Sequence, residues 1–178
     1  HLVKGLDSAH SSSGMILRDN VYGSINEDAL RRDFTANALY YTTDGFRIID
    51  FASGLEDIDN RLLRMIGDPA TRYREDPVRL LRAIRFSAKL DFEIERKTRA
   101  PINELAYLLE SISPARLFDE SVKLLTGGHA EKTYALLRKF KVVGLSVTRC
   151  HLLHWRAFVK VCGVADAVRR CLCRALPT

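Results

Sequence analysis

Two β-prone runs, Ala38-Leu39-Tyr40-Tyr41-Thr42 and Phe46-Arg47-Ile48-Ile49-Asp50-Phe51, flank Asp44-Gly45. That spacing predicts a β-hairpin, because Asp-Gly readily adopts the backbone of a tight turn. Ahead of the hairpin, Ser24 stands three residues before Glu27. This capping-box pattern predicts a helix over Ile25 to Asp33. Met15-Ile16-Leu17 reads as a short strand, and residues 1–13, which lack periodicity, read as loop. Beyond Gly54 the pattern turns helical and stays so. It predicts helices over 55–66, 69–74, 75–90, 95–110, 114–126 and 129–140. Pro69, Pro77, Pro101 and Pro114 fall at or near helix starts, where a missing N–H costs little. Ser113-Pro114 reads as N-cap then N1, and Gly127-Gly128 as a helix stop. The order is a hairpin-bearing piece followed by an all-helical piece, an α+β fold.

The segment 75–90 carries two faces when turned at about 100° per residue. Pro77, Leu80, Leu81, Ile84 and Ala88 make an apolar stripe. Glu75, Arg79 and Arg82 lie opposite it, flanked by Asp76 and Arg85. A solvated face with a Glu75–Arg79 pair accounts for the charges. It leaves Phe86, also on the polar face, unaccounted for. The alternative is a binding face, since a carboxylate accepts and a guanidinium donates along the edge of a base.

A second candidate joins the capped helix to the first strand: Arg31-Arg32-Asp33-Phe34-Thr35-Ala36-Asn37-Ala38. Arginines can hold phosphate, Asp can accept from ribose hydroxyls, and Asn offers both donor and acceptor. The simpler reading is a helix ending in basic residues that complement its dipole. Asp57-Ile58-Asp59 has the form of a metal-binding pair. At the start of a predicted helix, acids favouring the dipole are the better reading.

Composition narrows the class. The 178 residues are 47% apolar and 28% charged, which supports a buried core and excludes a mainly disordered chain. No apolar run reaches the roughly 18 residues of a membrane span. No signal segment follows His1, so a cropped chain with an arbitrary start in a reducing cytoplasm is expected. The net charge of +6 and a pI near 9.3 suggest a polyanionic partner. That charge is uneven. Residues 149–178 hold six basic residues against Asp166, which leaves a net charge of only +1 on residues 1–148. The same stretch holds all four cysteines, Cys150, Cys162, Cys171 and Cys173, and the only tryptophan, Trp155. Cys-x-Cys with scattered His151 and His154 is a poor match to a zinc site, so no metal is assigned there.

Three motifs in order resemble one family. RRDFTANALYY (31–41), the hairpin ending in IIDFASGLEDI (48–58) and RYREDPVRLLRAIRFSAKL (72–90) are similar to the class II nucleotidyltransferases acting on RNA 3′ ends. These are the bacterial-type poly(A) polymerases and the CCA-adding tRNA nucleotidyltransferases. The resemblance runs from about Gly14 to Gly144. ISPARLFDE (112–120) and LRDNVYG (17–23) look more like the polymerase branch. Read without the resemblance, ISPARLFDE is a capped helix with an Arg116–Glu120 pair.

The resemblance implies residues 1–66 from the end of a nucleotidyltransferase head domain and residues 67–145 from a helical neck that meets nucleotide and RNA. It implies transfer of AMP from ATP to an RNA 3′ end. CCA addition is the alternative within the class, and a non-catalytic nucleotide- or RNA-binding piece the alternative outside it. In the family, Mg²⁺ held by carboxylates upstream of the RRDFT-like motif performs the chemistry, so an isolated chain of these residues is expected to be inactive. Carried over by position, Arg32 and Asp33 would contact the nucleotide, Asp33 at the ribose, with Asn37 in support. Asp76 and Arg79 would read the base edge and Arg82 would contact phosphate. Asp50, Gly54 and Asp57 match the segment between head and neck, a candidate hinge. Ala36 replaces a larger apolar residue, a change expected to affect packing. Residues 146–178 match nothing in the family, and a shift of reading frame near Gly144–Thr148 would explain them.

Overall fold

The computed structural model describes residues 24–142. The strand expected at 15–17, the loop at 1–13, the LRDNVYG segment and the cysteine-bearing tail lie outside the described residues.

Helix α1 (Ile25–Arg31) starts as its capping box dictates. The Glu27 N–H donates to Ser24 Oγ at 3.2 Å, and the Ser24 N–H donates to Glu27 Oε2 at 2.7 Å. The helix ends two residues earlier than its pattern predicts, because Arg32 is already extended. A 3₁₀ turn, Thr35–Asn37, leads into the hairpin of β1 (Leu39–Thr42) and β2 (Arg47–Asp50). These pair antiparallel from Leu39 opposite Asp50 to Thr42 opposite Arg47. Gly45 takes φ +72° in the turn, the role expected of it.

Helix α2 (Gly54–Asp59) is half the length that periodicity predicts. Arg61 adopts φ +52°, and Leu62–Leu63 becomes β3. That strand pairs in parallel with β4 (Glu93–Ile94), Leu62 beside Glu93 and Leu63 beside Ile94. Two-residue strands carry no periodicity, so only the tertiary pairing defines them.

The expected helix 75–90 is also shorter. Helix α3 (Pro69–Glu75) claims Glu75, and α4 (Val78–Leu90) begins after Pro77. Asp76 between them has φ −145° and ψ +95°, the extended backbone that a following proline enforces. The span 95–110 divides likewise into α5 (Arg96–Arg99), α6 (Pro101–Leu105) and a 3₁₀ run Ala106–Ser111, with Pro101 opening the second piece. Helices α7 (Pro114–Thr126) and α8 (Ala130–Lys139) follow the sequence pattern closely. Ser113 does sit at the N-cap of α7, although its side chain makes no capping hydrogen bond.

The main core gathers Phe34, Tyr73, Leu80, Leu81, Ile84, Ile102, Leu109, Leu117 and Leu137. The stripe read from α4 is therefore its buried face. A smaller cluster of Ala29, Ala38 and Ile66 lies under the hairpin. No helix among the described residues is long and apolar enough to cross a membrane.

Candidate functional site

Around the antiparallel bridge of Phe34 with Met65, residues 33–35 lie beside residues 64–66 and join the hairpin segment to the helices. The Ile66 N–H donates to the Asp33 carbonyl, and the Thr35 N–H donates to the Arg64 carbonyl, both at 3.0 Å. This backbone pairing turns Asp33 and Phe34 toward α4. Phe34 is buried and meets Phe86 edge to face, which explains the ring on the polar side of α4.

One turn away, Asp33 sits between two guanidinium groups. Arg79 Nε donates to Asp33 Oδ1 at 3.0 Å, and Arg82 Nη2 lies 2.6 Å from Asp33 Oδ2. Arg79 also donates through Nη1 to the Arg72 carbonyl at 2.8 Å and to Glu75 Oε2 at 3.1 Å. A planar fork with several donors meets this set of acceptors in a way that an ammonium cannot. Arg79 is therefore nearly enclosed, whereas Arg82 is about one third exposed. The Nε of Arg82 is buried without a hydrogen-bond partner.

Arg72 completes the arrangement, a role that sequence reasoning did not assign. Its Nη2 donates to the carbonyls of Arg31 and Arg32 at 3.0 and 2.9 Å, closing the C-terminal end of α1. Its Nη1 reaches Glu75 at 3.3 Å. The only sequence signal was its place at the start of RYREDP, after which Arg79 and Arg82 follow.

The remaining expected residues are held separately. Asp76 accepts from the Val78 N–H at 3.2 Å and from Arg116 Nη2 at 2.8 Å. This corrects the Arg116–Glu120 pair: Glu120 instead meets Lys123 at 2.7 Å and Arg85 at 3.6 Å. Arg32 points away from the Asp33 cluster, to Asp28 at 2.8 Å and over the Tyr40 ring at 5.9 Å. Hydrogen bonds from Tyr40 and Arg32 hold the Asp28 carboxyl below its ordinary range. Asn37 folds back, its Oδ1 accepting from the Phe34 N–H at 3.2 Å. Of the six residues expected to bind nucleotide, the fold thus brings Asp33, Arg79 and Arg82 into direct contact.

Asp57 and Asp59 do not act as a pair. Asp57 is 2% exposed and accepts from Thr35 Oγ1 at 2.7 Å and from Arg64 Nε and Nη2 at 3.0–3.1 Å. It sits in the first turn of α2, as the dipole reading requires. Asp59 ends that short helix and is exposed, so the dipole reading does not extend to it. Among the described residues no three His, Cys, Asp or Glu side chains converge, and they do not fit a Mg²⁺ site.

Asp50 and Gly54 tie α2 to the hairpin. Burial alone would raise the Asp50 carboxyl, but the N–H groups of Leu55, Gly54 and Ala52 outweigh it and hold the carboxyl low. A Cβ on Gly54 would lie 2.3 Å from the Thr35 carbonyl oxygen.

Two family models match this chain. One, described as a poly A polymerase head domain, covers residues 6–64. The other, described as a probable RNA and SrmB-binding site of polymerase A, covers residues 91–143.

The chain belongs to the class II nucleotidyltransferase family.

Poly(A) polymerase I of Haemophilus influenzae is 58% identical over 130 residues, covering 73% of this chain and 29% of that protein. The CCA-adding enzyme of Enterococcus faecalis is 48% identical over 104 residues, covering 58% and 25%. This nucleotidyltransferase chain therefore spans less than a third of the length of these relatives. Among solved structures, a tRNA-processing enzyme with CTP superposes with a TM-score of 0.65 at 31% identity, covering 70% of this chain and 35% of that one. The Bacillus stearothermophilus CCA-adding enzyme in complex with CTP gives 0.63 at 37% identity, covering 69% and 31%. The head-plus-helices architecture expected of the family is the one observed.

Proposed function

We propose that this chain serves a polynucleotide adenylyltransferase, which adds AMP from ATP to RNA 3′ ends without a template. The observation that carries the reading is the seating of Arg79 and Arg82 of α4 on Asp33 of the RRDFT-like motif. It gathers guanidinium donors beside a carboxylate acceptor where the head-like segment meets the helices. The longer match at higher identity to poly(A) polymerase I than to a CCA-adding enzyme supports the polymerase branch.

In this reading residues 1–66 belong to the head and 67–145 to the neck. Asp76 and Arg79 face the base, and Arg82 faces phosphate. Arg32 and Asp33 serve the ribose side, with Asn37 bracing the turn between them and the hairpin. Mg²⁺ belongs to the whole enzyme, supplying charge stabilisation at the transferring phosphoryl group when bound. The partners are ATP and an RNA 3′ end in the cytoplasm. The isolated 178 residues bind without transferring.

The deciding experiment uses the full-length enzyme with an oligoadenylate and with tRNA lacking its terminal nucleotides. Long tails from ATP alone are expected on both. Addition that stops after two cytidines and one adenosine, and only with CTP present, would replace this reading by CCA addition. Extension of a primer by the pure 178-residue chain would overturn the binding-only assignment.

A further inference from the structure

Helix α4 carries cations beyond the Asp33 cluster. At about 100° per residue, Arg79, Arg82, Arg85, Phe86 and Lys89 share a sector of about 120°. The first two face Asp33. The last three line a cavity of about 260 Å³ between α4, α7 and α8, with Lys123 and His129 on its other side. Lys89 is exposed and has no ion-pair partner among the described residues. The Arg85 guanidinium lies over the Phe86 ring, 5.2 Å from its centroid. The carboxylate that meets this group is Glu120, held by Lys123 at 2.7 Å and Arg85 at 3.6 Å. Asp91 is occupied by Lys132 at 2.9 Å, whose hydrogen bond and charge hold its carboxyl below the ordinary range. Three cations and an imidazole thus border one concavity, and the carboxylate that meets them, Glu120, is shared by Arg85 and Lys123, which leaves Lys89 without one among the described residues.

We infer that this cavity holds the phosphodiester backbone of the RNA strand whose 3′ end reaches the Asp33 cluster, an inference that rests on the function proposed above. The space is smaller than the roughly 300 Å³ at which cavities begin to bury a whole drug-sized ligand, so it suits a sugar-phosphate segment. Lys89 lies about 10 Å along the helix from Arg82. A strand leaving the cluster along this face would therefore pass the cavity within its last few nucleotides. The family match to an RNA-binding segment starts at residue 91, and the α4 side of this cavity, Arg85, Phe86 and Lys89, lies before it.

The test is binding of a fluorescein-labelled oligoadenylate by the 178-residue chain across a salt series, with ATP binding measured in parallel. Lys89→Gln and Lys123→Gln should each weaken oligoadenylate binding several-fold. Each should also flatten the plot of log K against log salt by about 0.7, the share of one phosphate contact on a single strand. ATP affinity should not change, and neither should oligoadenylate binding by Lys97→Gln on α5. An unchanged slope in the cavity variants, or an equal loss in Lys97→Gln, overturns the inference. So does a loss of ATP affinity in place of RNA affinity, which would give the cavity to the free nucleotide. A wild-type chain that ignores oligoadenylate also overturns it, while the extension assay of the full-length enzyme still decides the proposed function.

Discussion

Phe34 and Phe86 meet edge to face, their ring centroids 5.6 Å apart and their planes at 73°. One belongs to the segment that follows α1, the other to α4, fifty-two residues on. Their contact brings the RRDFT-like motif onto the arginine face of that helix. Phe34 is fully buried, so Phe34→Ala should cost about 3–5 kcal/mol. Phe86 is only partly buried, and Phe86→Ala should cost less. Urea melts followed by circular dichroism measure both.

The buried carboxylate of Asp57 gives a second contrast. Removing it in Asp57→Ala leaves the buried Thr35 hydroxyl only the long 3.5 Å contact to the Arg64 carbonyl and should cost about 1–3 kcal/mol. In Asp57→Ala the partner left behind, Arg64, is nearly half exposed and can be rehydrated, whereas Arg64→Ala strands the buried Asp57 carboxylate, so Arg64→Ala should cost more than Asp57→Ala. The reverse order in denaturant midpoints would mean that the acceptor for the Thr35 hydroxyl, and not the ion pair, dominates.

Gly54 has an ordinary backbone conformation but no room for a side chain. Gly54→Ala drives a methyl into the Thr35 carbonyl and should destabilise by about 1–3 kcal/mol, against the usual helix preference for alanine. A variant as stable as the parent in thermal melts would show that α2 shifts freely from the hairpin.

Stability should fall in acid. The Asp28 and Asp50 carboxyls are both held below their ordinary range in the fold. Their contribution is complete above the unfolded value of about 3.9 and is lost as pH falls through the lowered folded values. Asp50→Asn should flatten the dependence of the denaturant midpoint on pH below about 4. A curve parallel to the parent's excludes Asp50 as a source of that slope.

Arg79→Lys tests the seat on Asp33. Lysine keeps the charge but cannot reach Asp33, Glu75 and the Arg72 carbonyl together. In the full-length enzyme kcat/KM for ATP should drop about tenfold or more, the loss of one to two charged hydrogen bonds, with reduced discrimination against other nucleotides. Parent-like selectivity in the lysine variant would remove Arg79 from base recognition.

Local chemistry was legible wherever it was written in neighbouring residues. Ser24 and Glu27, the Asp-Gly turn, Pro114 and the apolar stripe of α4 each determine their own element through contacts within a few positions. Charge alone was a poor guide, because most of the excess lies in residues 149–178 while the candidate site lies in nearly neutral sequence. Asp33, Arg79 and Arg82 could be named as candidates from their types and spacing. Their mutual contact could not, since it needs residues 33–35 to pair with 64–66 before Asp33 can face α4.

The sequence by itself determined α1, α7, α8 and the hairpin, because propensity, capping and turn chemistry act over a few neighbouring residues. Only the tertiary structure decided that β3 and β4 exist, that Arg72 closes α1, that Arg116 belongs to Asp76 and that Phe86 has a partner. Those contacts join residues 31 to 52 positions apart. They form only when burial of the shared core has brought the segments together, and no local pattern encodes them.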